Sequence, residues 1–538
     1  MHHDPPEGTT TMLTGNTPEI STFKGAQRAL RADRIGAPAL LLSVLAATAP
    51  LMVVAGVIPT IYATMGVVGV PLLFVIVGVV LILFSFGYAE MSRHVHNAGA
   101  LYAYITRGLG GALGAAASYV ALFAYSIMQV GLYGIFGYEV SSQIAQHWHH
   151  NIDWWIPALI GVAITAVFGA LKIDLNARTL GVLLLVETVL TLVFDVSFLS
   201  DAGPQGVSMH AFDPSTLSGA GLGTALCFTI AGFVGFEQAP VYAEETSNPQ
   251  RSVSRVMFMA IGFAMVFFAL SAWAITVATG PGHVVAGAQE QGPNLIFALN
   301  QDRLGTAYTD VLNVFFITGI FASMLSFHNV VARYAFAMGR DGLLPAAVGR
   351  TTKSSGAPAV GSFIQTVVSL VVVAVFALSD DKPFGDPTAP VLRMFTWAGT
   401  VGALGVVVLM ATAAIAVIAF FVKRGAARMQ AWRLVTSALS AVALAVIAVY
   451  SVKDFPVLLG ANPGHGLRWI LPGIIAIAAV IGLVYGLVLK VRRPEVFAGI
   501  GQGNEAFQLE KAAAEQARAE QAAAAAAAGA DAPAVQTD

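Results

Sequence analysis

Long apolar runs joined by short polar links dominate the chain from about residue 38 to about residue 491. A membrane-crossing helix needs about 20 consecutive, mainly apolar residues, because the hydrocarbon core is roughly 30 Å thick and a helix rises about 1.5 Å per residue. Runs of that kind predict twelve spans: 38–62, 67–89, 112–143, 155–171, 178–200, 216–243, 253–280, 306–339, 358–378, 389–421, 431–452 and 469–491. The fourth is the shortest. The longest link, 281–305, is too short for a soluble domain, so the working part of the chain is the bundle itself.

Two spans interrupt their own apolar pattern. The sixth contains "CFTIAGFVGFE", Cys227 to Glu237, with two glycines followed by a carboxylate. The first contains "LMVVAGVIPT", Leu51 to Thr60, so that Ala55-Gly56 and Ala231-Gly232 stand at matching mid-span positions five helices apart. An odd offset makes the two copies cross the membrane in opposite directions, as inverted repeats do. Backbone groups are released in the hydrocarbon region only where a cavity or a bound solute satisfies them. Paired Gly- or Pro-interrupted spans are therefore a sequence pointer to a transporter's binding site. Pro59, just after Gly56, suits the first turn of a resumed helix. The alternative reading is a glycine packing contact between continuous helices.

Composition agrees with the pattern: of 538 residues, 57% are hydrophobic and 11% charged, against about 25% charged in ordinary soluble proteins. The net charge of −2 gives no reason to expect a nucleic-acid partner, whereas the placement of charge is informative. Lys and Arg concentrate in cytoplasmic loops. With the N-terminus inside, all but Arg303, Lys382, Arg393, Lys453 and Arg468 of the 28 Lys and Arg fall on the cytoplasmic side, which predicts two cytoplasmic termini. Lys24, Arg28, Arg31 and Arg34 precede a first span too long for a signal-peptide core, so that span is expected to be retained. Residues 1–35 are expected to be a disordered cytoplasmic segment, 36–495 the transporter domain, and the Ala-rich 496–538 a disordered cytoplasmic tail. Cys227, the single cysteine, excludes an intrachain disulfide. No phosphate-binding Gly-x-x-x-x-Gly-Lys-Ser/Thr loop and no His-Glu-x-x-His pair occurs, so no ATP-driven pumping by this chain, catalytic residue, metal or cofactor is assigned.

Three stretches carry a family resemblance: "FTIAGFVGFEQAPVYAEETSNPQRSV" from Phe228, "YAEMSRHVHNAGALYAYI" from Tyr88 and "ARYAFAMGRDGLLP" from Ala332. In that order, and with this span count, the chain resembles the amino acid/polyamine/organocation (APC) transporter superfamily over roughly residues 35–495. The resemblance implies an all-α integral membrane protein of about twelve helices. Five-plus-five inverted repeats would occupy about 38–200 and 216–421, with helices one and six broken at mid-membrane and the last two helices, about 431–491, outside the repeat. It implies secondary transport of amino acids or related amines in the plasma membrane, driven by an ion gradient, of protons or sodium, or by exchange. Where many members have a Gly-Ser-Gly-type break in helix one, this chain has "VVAGVIP".

In such a fold, main-chain groups at the breaks hold a zwitterion: freed N–H groups suit its carboxylate and freed carbonyls its ammonium. The expected substrate site is Ala55, Gly56, Val57 and Ile58 with Ala231, Gly232, Phe233 and Phe236. Glu237 either meets the substrate amine or caps N–H groups where the helix restarts; a charge at mid-membrane needs a cavity or a partner. Tyr125, Gln129 and Tyr133 recur every four residues and share one stripe of the third span; they either wall the pocket or pack between helices. Glu187, in mid-fifth span, is a candidate for ion coupling because a buried carboxylate can load and release a proton or help ligate a cation, or it is hydrogen-bonded to a neighbouring helix; by resemblance its position corresponds to a lysine of some proton-coupled members. Ser323 and Ser326 are candidate ion ligands, as hydroxyls of this helix are in sodium-coupled relatives, or bond back to their own helix. His328 reads as a packing residue. Glu244 and Glu245 either form a solvated helix end, the favoured reading, or latch onto Arg251 or Arg255. A polyamine or organic-amine transporter of the same fold, and a membrane sensor that binds an amino acid without moving it, are the competing readings.

Overall fold

The computed structural model describes residues 36–95, 97–169, 173–243, 245–352, 356–379, 390–425, 431–460 and 466–502. The expected N-terminal segment 1–35 and the tail from 503 onward lie outside the described residues, as does Glu244. Among the described residues, ten helices are long and apolar enough to cross a membrane, and a bent pair makes an eleventh. In chain order, span 1 is Ala37–Met65, span 2 Val70–Ser92, span 3 Gly111–Trp148, span 5 Gly181–Ser200 within the helix Ile173–Ser200, and span 7 Arg251–Thr279. Span 8 is Thr306–Arg340, span 9 Ala359–Leu378, span 10 Arg393–Lys423, span 11 Ala431–Leu459 and span 12 Leu467–Arg492. Span 6 is the bent pair Leu222–Phe233 and Phe236–Tyr242, and the short apolar helix Trp155–Gly169 stands as span 4.

Packing follows the repeat. Span 2 lies on span 7, span 3 on span 8, span 4 on span 9, and both halves of span 1 touch span 6. Each pair is five helices apart, as expected for equivalent helices meeting along the pseudo-two-fold axis of an inverted repeat. Spans 11 and 12 pack outside, against spans 6 and 10 and against span 3 respectively. The outer helices keep one apolar stripe toward lipid. On span 5 it is Leu185, Val189, Val193 and Val196, all exposed, while Glu187, Thr191 and Asp195 on the opposite face are buried.

The structure changes two expectations. The 281–305 link is folded, with helices Val284–Gln291 and Leu295–Leu304. The packed chain also runs past 495: helix Pro494–Gly499 follows span 12, Ile500 is fully buried, and the Gly501 amide donates to Asp341 Oδ2 at 2.7 Å. The first seven residues assigned to the tail thus pack on the bundle, with Val496 against Gly342 and Gly501 on Asp341 at the end of span 8.

Candidate functional site

Span 1 does break at mid-membrane, but six residues before the expected place. Helix Ala37–Thr48 ends at Ala49, which adopts φ 41° and ψ 82°, and Pro50 opens the next turn. Proline explains the position: it has no N–H for the Ala46 carbonyl, and it drives the preceding residue out of the α region. Ala55 and Gly56, expected to be the break, sit instead in a continuous stretch of π-helix, Val53–Val57. Pro59 does not stop the helix because wider turns flank it, at Val53–Val57 and Ile61–Met65. A π-turn absorbs a helix irregularity without unwinding it.

In span 6 the first half ends at Phe233, and Gly235 turns the chain with φ 140° before Phe236–Tyr242. This conformation favours glycine, and the site has no room for a side chain: a Cβ on Gly235 would lie 2.8 Å from the Val44 carbonyl oxygen and 3.0 Å from the Ala47 Cβ. The two breaks therefore meet directly. Glu237 belongs to the restart. Its Oε2 accepts the Gly235 amide at 3.0 Å, its Oε1 accepts the Tyr125 hydroxyl at 2.7 Å, and its own amide faces the carboxylate. These are the contacts of a carboxylate that caps N–H groups where the helix restarts.

Beside the breaks lies a small cavity lined by Ala47, Met52, Val57, Met128, Leu132, Phe228, Ala231, Phe327, Phe395 and Gly399. It holds about 30 Å³, enough for one or two waters, so a solute must spread these walls to enter. Of the predicted substrate residues, Val57 and Ala231 line it. Ala55 and Ile58 are buried but do not line it. Gly56 faces Ile135 and Phe316, and Gly232 faces Val53 and Phe74. Phe233 packs on Phe74 and Phe268, and Phe236 meets Phe84 edge-on.

The stripe on span 3 is also displaced from expectation. Tyr125 caps Glu237. Gln129 donates to the Tyr133 hydroxyl at 2.9 Å, lies 3.3 Å from His328 Nδ1, and accepts from Gln365 Nε2 at 2.8 Å. His328 Nε2 and Ser362 Oγ are 2.6 Å apart, which makes this a polar knot joining spans 3, 8 and 9. The cavity wall is the neighbouring stripe, Met128 and Leu132, one residue or about 100° around the helix.

Glu187 is buried against the break of span 1. Its carboxylate faces the Leu51 amide, freed by Pro50, and rests on Gly319, where a Cβ would come within 2.7 to 3.0 Å of it. One turn along span 8, Ser323 donates to the Ala47 carbonyl at 2.8 Å. Ser326 points elsewhere, toward the Tyr242 hydroxyl. Toward Arg340, Glu245 pairs not with Arg251 or Arg255 but with Arg333, at 2.7 Å and fully buried, with the guanidinium also over the Tyr242 ring. Ala47, Pro50 and Gly319 were not singled out in the sequence. Pro50 carried the available signal, a proline well inside an apolar run.

Comparison with known proteins places this geometry. The model of the family described as amino acid permease matches residues 41–479. The branched-chain amino acid permease of Lactococcus lactis is 24% identical over 315 residues, 54% of this chain and 65% of that relative. The lysine-specific permease of the same organism is 24% identical over 327 residues, 57% of this chain and 62% of that relative. The matched part thus spans under two-thirds of these curated relatives. A crystal structure of the manganese transporter of Eremococcus coleocola aligns with a TM-score of 0.52 at 14% identity, over 88% of this chain and 99% of that one. That likeness concerns the fold alone, a leucine-transporter-like inverted repeat.

Proposed function

The chain belongs to the amino acid permease family, a family of multi-pass membrane transporters rather than enzymes, and from that premise we propose that it carries an amino acid with an apolar side chain across the plasma membrane by alternating access, coupled to protons. Both termini are cytoplasmic in this reading, supported by the crowding of Lys and Arg at one end of the bundle.

The observation that carries the proposal is the juxtaposition of an apolar cavity, two helix breaks and one buried carboxylate. The cavity wall has no charged side chain; Met52, Val57, Leu132, Phe228, Phe327 and Phe395 suit an aliphatic or aromatic substrate. Polar recognition falls to main chain near Ala47 and Ala231, including the Ala46 carbonyl that Pro50 leaves without its helical partner. A lysine or polyamine would need a carboxylate facing the cavity. Neither nearby one lines it, since Glu237 is held by local donors and Glu187 by the Leu51 side of the break.

Glu187 is the coupling group in this reading, with Ser323 holding the break's other side. Ionised, the carboxylate accepts a charge-assisted bond from the Leu51 amide, and such bonds are about twice as strong as neutral ones. Protonation weakens that hold on span 1 and strengthens it again on release, which gives the proton a lever on the helix that must move.

The test is uptake into liposomes holding the purified protein. Labelled leucine accumulates under an imposed inward proton gradient, and collapsing the gradient abolishes accumulation. Glu187→Gln is expected to lose gradient-driven accumulation while still binding leucine. Wild-type accumulation by that variant rejects the coupling role. Binding without uptake under any gradient or internal counter-substrate favours a sensor, and uptake of amines indifferent to amino acid competitors favours an amine transporter.

A further inference from the structure

Away from the substrate cavity, a second cavity of about 330 Å³ opens at the basic end of the bundle, between spans 2, 7 and 11. Four arginines, Arg93, Arg251, Arg255 and Arg433, line it against a single carboxylate, Glu90. Glu90 is already engaged by both Arg93 and Arg433. No described carboxylate pairs with Arg251 or Arg255, which stand one turn apart on span 7. Two buried atoms of the lining, Arg433 Nε and Ser254 Oγ, have no hydrogen-bond partner among the described residues. Buried polar atoms are rarely left so, and a bound group is one ordinary reason.

The other wall is apolar. Phe86 lies 5.0 Å from Phe258 and 4.8 Å from Trp432, ring centre to ring centre. Trp432 is exposed, and the surface continues into the exposed Val435 and Met259 on the lipid-facing sides of spans 11 and 7. The site thus joins an excess of guanidinium donors to a face immersed in acyl chains, and basic pockets between helices on the cytoplasmic side are suited to anionic lipid headgroups.

We propose that this cavity binds the phosphate of an anionic phospholipid from the leaflet at the basic end, with its acyl chains running over Phe86, Phe258 and Trp432. Phosphatidylglycerol is the probe, offered with phosphatidylcholine to the full chain in detergent and read by native mass spectrometry. Phosphatidylglycerol is expected to be retained in preference, and Arg251→Gln/Arg255→Gln to weaken retention by about fivefold per arginine removed. Arg251→Lys/Arg255→Lys keeps the charge and is expected to keep most of the binding, which separates loss of the site from loss of the fold. A large excess of inorganic phosphate leaves the lipid bound. Equal retention of phosphatidylcholine, unchanged phosphatidylglycerol in the glutamine variant, or displacement by inorganic phosphate each overturns the proposal.

Discussion

Glu237 shows how a carboxyl group is accommodated at mid-membrane: two amides and a tyrosine hydroxyl surround it at the restart of span 6. Removing one donor leaves a buried oxygen short of a partner, which costs about 1–3 kcal/mol. Tyr125→Phe is therefore expected to lower the thermal unfolding temperature while leaving substrate affinity unchanged; lost affinity with intact stability would place the pair in the substrate site instead. Gly319 acts on the other carboxylate. Its missing Cβ is the space Glu187 occupies, and because a carboxylate can swing aside, Gly319→Ala is expected to displace the acid without unfolding the chain. Proton-driven accumulation should fall while substrate exchange persists. The sequence singled out both acids, because a charge in an apolar run is conspicuous. It could not show Gly319, since in such a helix a glycine that makes room for a partner looks like any other.

At the scale of the element, a break is set by the residue that the helix cannot accommodate. Proline at 50 removes a donor and disfavours the helical conformation at Ala49, which stands in the left-handed region, whereas proline at 59 is flanked by π-turns. Nothing local in "APLM" and "VIPT" distinguishes the two, so the existence of a break in span 1 was legible in the sequence and its position was not. Span 6 was misplaced less: the turn is at Gly235, three residues after Gly232. Gly235→Ala combines a backbone strain of about 1–3 kcal/mol with a 2.8 Å approach to the Val44 carbonyl. It is expected to reduce folded yield sharply, measured by size-exclusion elution in detergent. Gly232→Ala, whose nearest neighbour is a Val53 methyl at 3.1 Å, should be far milder. The reverse order of severity would return the break to Gly232. Registers of one residue also decided the cavity wall, because a four-residue repeat finds a stripe on span 3 but not which neighbour it faces.

Across the whole molecule, span count and order follow the sequence pattern, since length and apolarity determine both. The long-range closures do not, because they join residues far apart in the chain. Arg333 and Glu245 connect span 8 to the segment after span 6 through a buried ion pair. Breaking a buried pair leaves an uncompensated charge, at about 3–5 kcal/mol, whereas replacing both partners with apolar groups is often neutral or stabilising. Glu245→Gln alone is expected to destabilise the protein strongly and Glu245→Met/Arg333→Met to recover most of the melting temperature; equal damage from both would show that the uncompensated charge is not the cause of the loss. The polar knot at Gln129 carries a different consequence, in the time of biosynthesis. Gln129 enters the membrane with span 3, but His328 follows 199 residues later and Gln365 236 residues later. At about 5–20 residues per second, that amide is left for roughly 10 to 50 s without its final partners. The nascent first repeat is thus a half-built wall with its polar side uncovered, and the cell's insertion machinery or neighbouring helices must shelter it until the ninth span arrives.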